Sequence, residues 1–176
     1  MNVRRVVTGN VGGKSKIVSD GGTRRSLVFK HIPGQTSALL WTTPAVPTTA
    51  GDGSDVVTEK SQYVPQNPGE TRLMIVTFPP DSVMMTIDPA AGFGEFAEHI
   101  PDLAQAMEPD SPGMHTTQTV DYGIVLEGEV WLEVDDGKQV HLKPHDVVVQ
   151  NGTRHAWRNK SDKPVKIAFI LIGAKK

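Results

Sequence analysis

The sequence predicts an all-β protein built from short strands, and three observations support this. Glycine and proline are frequent, with 17 and 13 residues among 176, and both residue types mark turns. Apolar and polar residues alternate in the C-terminal half, as around Val130, Leu132 and Val134, which is the period of a strand with one buried face. Turn signals there recur about every 8–12 residues, which is typical of a β-sandwich or a β-barrel.

Residues 1–70 are predicted to form N-terminal strands and a loop that pack on the barrel or on a partner subunit. Apolar runs that end at glycine or proline turns predict strands over residues 15–19, 26–32 and 37–42. Residues 45–70 have few apolar anchors, which predicts a long and partly mobile loop. Residues 71–176 are predicted to form the barrel, and a chain of this length is expected to be one structural domain overall.

A short helical segment interrupts the β pattern. The predicted strand over residues 70–78 stops at Pro79-Pro80. Apolar side chains then follow a helical spacing over residues 95–107, at Phe96, Ile100, Leu103 and Met107. Proline is not tolerated deep inside a helix, so the segment is predicted to be two short turns or a helix that begins near Pro101. Either would cover the mouth or the flank of the barrel.

From residue 115 onward the chain reads as strand after strand. Asp135-Asp136-Gly137 predicts a hairpin turn after the strand that contains Val130. Further strands are predicted over residues 138–142, 146–150, 153–159 and 164–172.

Two motifs in this region carry a family resemblance. The first includes His115, Thr117 and Asp121, with six residues between Asp121 and Gly128. The second includes His155, with three residues before Asn159. This spacing resembles the two motifs of the cupin superfamily. The first of those runs His-x-His, three or four residues, Glu, six residues, Gly, and the second joins a Pro-x-Gly turn to a His and an Asn.

Several positions depart from the family pattern. Thr117 stands at the second His position, and Asp121 replaces the Glu. In the second motif His145 stands where the family has Gly, and Asn151-Gly152 shortens the turn by one residue. The resemblance covers about residues 113–172. It implies a cupin-type double-stranded β-helix, or jelly-roll barrel, with the N-terminal strands and the helical segment as additions.

Three residues are candidates for both catalysis and metal binding, namely His115, Asp121 and His155. Side chains alternate between the two faces of a strand, so residues 115, 117 and 121 share one side. The resemblance implies that these are metal-ligand positions, and two imidazoles with a carboxylate suit Fe, Mn, Ni or Zn. The alternative is a metal-free cluster in which Asp121 hydrogen-bonds to a histidine and the pair transfers protons.

Four further residues are candidates for substrate binding. Thr117 and Trp157 share the sides of their strands with the candidate histidines, and Gly123 leaves space there for a small ligand. Arg72 lies on the strand before Pro79-Pro80 and would reach a substrate carboxylate if it faces inward. The opposite face of the strand that carries Asp121 is also apolar, which predicts that a second subunit or the N-terminal strands cover it.

The bulk properties exclude several classes of partner. The net charge is −2 and the basic residues are scattered, which gives no electrostatic support for nucleic-acid binding. No apolar run is long enough for a membrane span, and the N-terminus has no apolar segment typical of a signal peptide. With no cysteine, the chain fits a reducing compartment, and we expect a cytoplasmic protein.

Two functions remain open. By resemblance to small cupins, the chain is expected to be a homodimer with a pocket for a small organic molecule, such as a carboxylate or an aromatic metabolite. The first hypothesis is an enzyme of the kinds found among small cupins: a dioxygenase, isomerase, decarboxylase or lyase. The second is a non-catalytic ligand-binding or accessory cupin that has lost metal binding and its chemistry.

Overall fold

The computed structural model describes residues 3–49 and 54–176. Strands dominate it, with three short helices between the fifth and sixth strands of the described ranges. The expected all-β class with a short helical segment is therefore confirmed. Residues 1–2, at the start of the segment read for a signal peptide, and residues 50–53 of the predicted long loop lie outside the described ranges. No helix within those ranges has the length and apolarity needed to cross a bilayer.

A six-stranded antiparallel sheet forms one wall of the barrel. In spatial order its strands are β3 (Arg25–Val28), β4 (Thr36–Thr43), β5 (Thr71–Phe78), β11 (Val165–Gly173), β6 (Thr119–Glu127) and β9 (Val147–Asn151). Strands β11 and β6, which are neighbours in this sheet, alternate strictly between buried and less buried residues over most of their length. One face of this sheet therefore forms the core, as the period-two pattern predicts.

A three-stranded sheet closes the other side. Its order is β10 (Ala156–Arg158), β7 (Val130–Glu133) and β8 (Gln139–Leu142). Val130 and Leu142 from this sheet join Val125 and Ile167 from the larger one in a single buried cluster. The predicted turn between β7 and β8 is confirmed, with a 3₁₀ turn at Asp135–Gly137.

The N-terminal strands divide into two groups. Strands β1 (Arg5–Val11) and β2 (Lys14–Gly21) form a separate hairpin, and β1 was not expected from the sequence. Strands β3 and β4 instead extend the six-stranded sheet through the pairing of β4 with β5. Strands β3 and β4, which precede residue 70, thus belong to the same sheet as β5 and β11. The base of the hairpin is held by Arg5, which donates to the Leu40 carbonyl oxygen and pairs with Asp55.

The described part of the predicted loop is anchored to the core. Val57 and Tyr63 are both almost fully buried and belong to the main apolar cluster. The Arg25 guanidinium lies 5.3 Å from the centre of the Tyr63 ring. Apolar residues are few in this loop, but Val57 and Tyr63 fix its second half against the sheet.

The helical segment is longer than predicted and is split at Ile100. It consists of α1 (Asp81–Met84), α2 (Pro89–His99) and α3 (Pro101–Ala104). The Asp88 side chain accepts hydrogen bonds from two backbone N–H groups at the start of α2, and proline is favoured at the first helical position. Asp88-Pro89 was thus an N-terminal helix signal that sequence reasoning missed. The predicted start near Pro101 is confirmed for α3.

Candidate functional site

Two histidines meet at the start of the two motif strands. His115 and His155 form an isolated antiparallel bridge, in which each backbone N–H donates to the carbonyl of the other residue at 3.0 Å. Their side chains therefore lie on the same face, with ring centres 4.2 Å apart. Both residues are more than nine-tenths buried. The prediction that residues 115 and 155 share one site is supported by this contact.

The backbone fixes the tautomer of both rings. The His115 Nδ1 atom lies 3.0 Å from the Gly113 carbonyl oxygen, and the His155 Nδ1 atom lies 2.9 Å from the Thr153 carbonyl oxygen. A carbonyl oxygen only accepts hydrogen bonds, so each Nδ1 carries the proton in the neutral ring. Each Nε2 atom is left with a lone pair that can accept a proton or bind a metal ion.

Burial keeps these rings neutral. Desolvation lowers the pKa of His115, although the hydrogen bond to Gly113 partly offsets it. Desolvation, together with the neighbouring His115, lowers the pKa of His155 to about 4. At neutral pH both rings are therefore uncharged, which is the state that a general base or a metal ligand requires.

Asp121 lies on the inner face of β6 but is not bonded to either histidine. Burial raises the pKa of its carboxyl group to about 6, against the opposing effect of a hydrogen bond from Thr119. Within residues 3–49 and 54–176 its Oδ1 atom has no hydrogen-bond partner. The interpretation in which Asp121 orients His115 or His155 by a direct hydrogen bond is therefore not seen. Thr119 also bonds to Thr117, with 2.7 Å between the hydroxyl oxygens.

The three candidate metal ligands do not form one coordination group. No set of three or more histidine or acidic side chains in the described parts of the chain is arranged to hold a metal ion. The two imidazoles have the chemistry and the tautomer of ligands for a transition metal. Asp121 does not join them, so the residues do not fit the three-ligand site that the motif predicts.

The space expected beside Gly123 is filled by aromatic rings. A Cβ atom at Gly123 would lie 3.3 Å from Phe169 Cε1 and 3.4 Å from Trp157 Cη2. Trp157 packs edge-to-face against His155, with 5.8 Å between ring centres, and against Phe169, with 5.3 Å. Gly123 therefore makes room for the indole rather than leaving a space for a ligand. Trp157 forms the apolar wall of the histidine pair.

The guanidinium of Arg72 is engaged within the protein. Its Nε atom donates to the Gln62 carbonyl oxygen at 3.1 Å, and its two terminal nitrogens donate to the Thr71 carbonyl oxygen and to Glu70 Oε2, both at 2.9 Å. Arg72 is buried, as an inward-facing residue would be, but it bonds to Gln62 and Glu70 in the last part of the predicted 45–70 loop. Its proposed contact with a substrate carboxylate is not favoured by this arrangement.

Other motif positions have structural roles. Gly128 has a φ of 76°, and a Cβ atom there would lie 2.6 Å from the Pro164 carbonyl oxygen, so only glycine fits. His145, at a glycine position of the family pattern, has a φ of 78°. Asn159 is almost fully buried, and its Nδ2 atom donates to the carbonyl oxygens of Phe78 and Lys163. The conformations and contacts of these positions are consistent with the predicted placing of both motifs.

Three polar residues of the site were not singled out from the sequence. Thr119 and Gln150 are buried. The Thr153 hydroxyl group donates to Gln150 Oε1, and the Thr153 carbonyl oxygen accepts from His155 Nδ1. Gln150 lies on β9 directly opposite Asp121. The alternation of Val148 and Gln150 could have placed Gln150 on the inner face, but the sequence does not indicate which strand pairs with β9.

Comparison with protein families identifies the barrel. A family model described as the cupin domain matches residues 104–172, which include His115, Asp121 and His155. Residues 104–172 form a cupin domain. The matched range begins at the end of α3 and ends in β11, so it includes the barrel strands on both sides of the histidine pair.

Several fungal proteins are similar to this chain. Phomopsin biosynthesis cluster protein C′ of Diaporthe leptostromiformis is 33% identical over 138 residues, covering 78% of this chain and 60% of that protein. The cupin-domain-containing oxidoreductase srdB of Neurospora crassa is 37% identical over 83 residues, covering 44% of this chain and 42% of that protein. This cupin therefore spans at most about 60% of the length of these relatives.

Solved cupin structures are more distant. A cupin domain from Schizosaccharomyces pombe superposes with a TM-score of 0.47 at 10% identity, over 97% of this chain and 87% of that one.

Proposed function

We propose that this cupin is an enzyme that transfers a proton on a small organic molecule, with His155 and His115 as the acid–base pair. The observation that carries the proposal is the fixed tautomer of the pair. Both Nδ1 atoms are held by backbone carbonyls, so both Nε2 lone pairs are free in buried, neutral rings. A buried imidazole with a free lone pair is the group most often used as a general base.

The proposed reaction removes a proton next to a carbonyl or from a hydroxyl group. The Nε2 atom of His155 accepts the proton, and the imidazolium that forms returns it to another atom of the same molecule. The depressed pKa of His155 means that its imidazolium returns the proton readily. This chemistry needs no oxidant and leaves the elemental composition of the substrate unchanged, which corresponds to the isomerase class among those expected from the sequence.

Some of the predicted substrate-binding residues keep a role in the proposed reaction. Trp157 supplies an apolar wall beside His155, which suits an aromatic or planar part of the substrate. Thr117 is buried two residues after His115, and its hydroxyl group is bonded to that of Thr119. Gly123 contributes indirectly, because it gives the indole its position. A carboxylate contact from Arg72 is left out of the proposal, since its nitrogens donate within the protein.

The relatives support a biosynthetic setting. The two relatives described above are a protein of a phomopsin biosynthesis cluster and a cupin-domain-containing oxidoreductase. On the basis of this similarity, we propose that this chain is also a biosynthetic enzyme acting on a small molecule. A divalent transition metal, Fe, Mn, Ni or Zn, stays a proposal for the two imidazoles, and metal analysis of the purified protein tests it.

Proton exchange with solvent tests the proposed reaction. The purified protein is incubated in D₂O with a panel of small ketones, 2-oxo acids and enolisable aromatic compounds, and deuterium uptake is followed by mass spectrometry. We expect protein-dependent uptake on at least one compound. His155→Gln should slow it by about 100-fold or more, which is the usual contribution of a general base.

A matched variant separates catalysis from a general effect of losing an imidazole. His141→Gln removes an exposed histidine of β8, and it should leave the exchange rate unchanged. Equal exchange by wild type and His155→Gln would refute the base role. A compound that binds without any exchange would instead favour the alternative of a non-catalytic ligand-binding cupin.

A further inference from the structure

Two buried polar atoms on paired residues of strands β6 and β9 have no hydrogen-bond partner within the described ranges. They are the Oδ1 atom of Asp121 and the Nε2 atom of Gln150. The two residues are direct cross-strand partners, and they are 7% and 5% exposed. Four buried side-chain atoms within the described ranges lack a partner. These two, an acceptor and a donor, occupy one position of the sheet.

The orientation of Gln150 is set by its neighbour. Its Oε1 atom accepts a hydrogen bond from the Thr153 hydroxyl group at 2.6 Å, so the amide nitrogen is the end that is left without a partner. The carbonyl oxygen of Thr153 is the group that accepts from His155 Nδ1 at 2.9 Å. One residue thus positions both Gln150 and the proposed base, which links the two parts of the site.

Buried polar groups in folded proteins are nearly always hydrogen-bonded, because an unpaired one loses its hydration without compensation. A group that satisfies both atoms must accept from the Gln150 amide and donate to the Asp121 carboxyl group. A hydroxyl group does both. A carboxylate only accepts, and it would bring a second negative charge to Asp121.

The charges around the two atoms favour the same ligand class. The inward-facing residues that flank them on β6 and β9 are Thr119, Gly123 and Val148, and none of these carries a positive charge that would balance a carboxylate. The neighbouring hydroxyl groups are already engaged: that of Thr153 donates to Gln150 Oε1, and that of Thr119 is bonded to Thr117 and to the Asp121 carboxyl group.

We propose that Asp121 and Gln150 bind a hydroxyl group of the substrate, so that the substrate is an alcohol, an enol or a phenol. This inference rests on the proposed function, because it names the substrate class of the same site. It also narrows the sequence-based expectation of a carboxylate or aromatic metabolite. Thr153 is bonded to both Gln150 and His155, so it connects the proposed hydroxyl subsite to the proposed base.

Fragment binding followed by NMR tests this subsite at pH 7.5. Phenol is the hydroxyl probe, and toluene and benzoate have the same ring without a hydroxyl group. The readout is the side-chain amide signal of Gln150 in a ¹⁵N-labelled protein. We expect phenol to shift this signal in a saturable way, and we expect toluene and benzoate to leave it unchanged at the same concentration. Equal shifts with phenol and toluene would overturn the proposal, since they would show apolar binding alone.

Variants that add or remove a negative charge at the subsite test the proposal further. Gln150→Glu replaces the donor by an acceptor of the same size, and it should weaken phenol binding at least tenfold. Gln105→Glu makes the same change at an exposed position and should have no effect. Because Gln150→Glu alters a buried group, Asp121→Asn provides a second variant. It removes the repelling charge, so it should strengthen benzoate binding.

The outcomes separate this inference from the proposed function. His155→Gln should abolish deuterium exchange and still bind phenol, because the hydroxyl contacts come from Asp121 and Gln150. Loss of phenol binding in Gln105→Glu, unchanged phenol binding in Gln150→Glu, or unchanged benzoate binding in Asp121→Asn would contradict the subsite. A crystal structure with Asp121 Oδ1 bonded directly to Gln150 Nε2 would also overturn it.

Discussion

Burial acts in opposite directions on the two kinds of titratable residue in this site. The Asp121 carboxyl group is neutral when protonated, so desolvation raises its pKa to about 6. The imidazole of His155 is neutral when deprotonated, so desolvation lowers its pKa to about 4. Both shifts favour the uncharged form, as expected where charges are removed from water without a partner.

These opposed shifts have opposed effects on stability. Relative to its ordinary value near 3.8, the raised pKa of Asp121 stabilises the fold at low pH, and this contribution is lost as the pH rises through 6. Relative to its ordinary value near 6.5, the lowered pKa of His155 gives a contribution that is present above 6.5 and lost as the pH falls through 4. In the wild-type protein the two dependences largely cancel between these limits.

We predict that Asp121→Asn reveals the histidine dependence in the metal-free protein. From pH 4 to pH 7 the free energy of unfolding of the variant should rise, relative to wild type, by about 3 kcal/mol, because two pKa units correspond to that energy. Urea denaturation at several pH values after chelation measures it. Asp162→Asn, at an exposed position, is the control. A difference that does not vary with pH would show that the Asp121 carboxyl group is not desolvated.

At the scale of elements, the turn after β10 is held to the end of β5 by one side chain. The Asn159 amide donates to the carbonyl oxygens of Phe78 and Lys163, while its Oδ1 atom accepts from the backbone and hydroxyl groups of Ser161. Asn159 thus connects the small sheet to the large one. This explains why the second motif ends at an asparagine that does not reach the histidine pair.

We therefore predict that Asn159→Ala destabilises the barrel by about 2–4 kcal/mol, since it leaves two or more buried polar groups without partners. Chemical denaturation at pH 7 measures the change. Asn151→Ala, at an exposed position of β9, should cost less than about 1 kcal/mol. Similar losses in both variants would argue against a specific role for Asn159.

At the scale of the whole molecule, the outer face of the six-stranded sheet is apolar and open. Val149, Tyr122, Ile170 and Leu73 form a row across four strands. Val147, in the next row, is 60% exposed and Val149 is 55% exposed. The N-terminal strands were a predicted cover, but β1 and β2 form their own two-stranded sheet, and β3 and β4 extend the six-stranded sheet. Of the two covers expected from the sequence, we propose the second subunit.

We predict that this face forms the interface of a homodimer and that Val149→Lys with Tyr122→Lys gives a monomer. A buried charge without a partner opposes association, because its desolvation is not repaid. Light scattering coupled to gel filtration measures the mass. Gln105→Lys, at an exposed position of α3's C-terminal end, should leave the mass unchanged. A wild-type monomer at tens of micromolar would contradict the proposal.

Local features of this fold could be predicted from the sequence, whereas contacts between distant segments could not. Motif spacing correctly aligned Gly128, His155 and Asn159, because turns and strand ends leave local signals. The strand β1 was missed, since its alternation is weak and its residues are largely exposed. The anchoring of residues 54–70 was missed as well, because it depends on Val57 and Tyr63 packing against strands far away in the chain.

The sequence by itself determined the β-barrel, the cupin family and the shared face of His115 and Asp121, because strand periodicity and turn chemistry are local properties. Only the tertiary structure decided which of these residues meet. It paired His115 with His155, kept Asp121 apart from both, filled the space beside Gly123 with Trp157, and set Gln150 opposite Asp121. Register between distant strands controls such distances, and no local pattern specifies it.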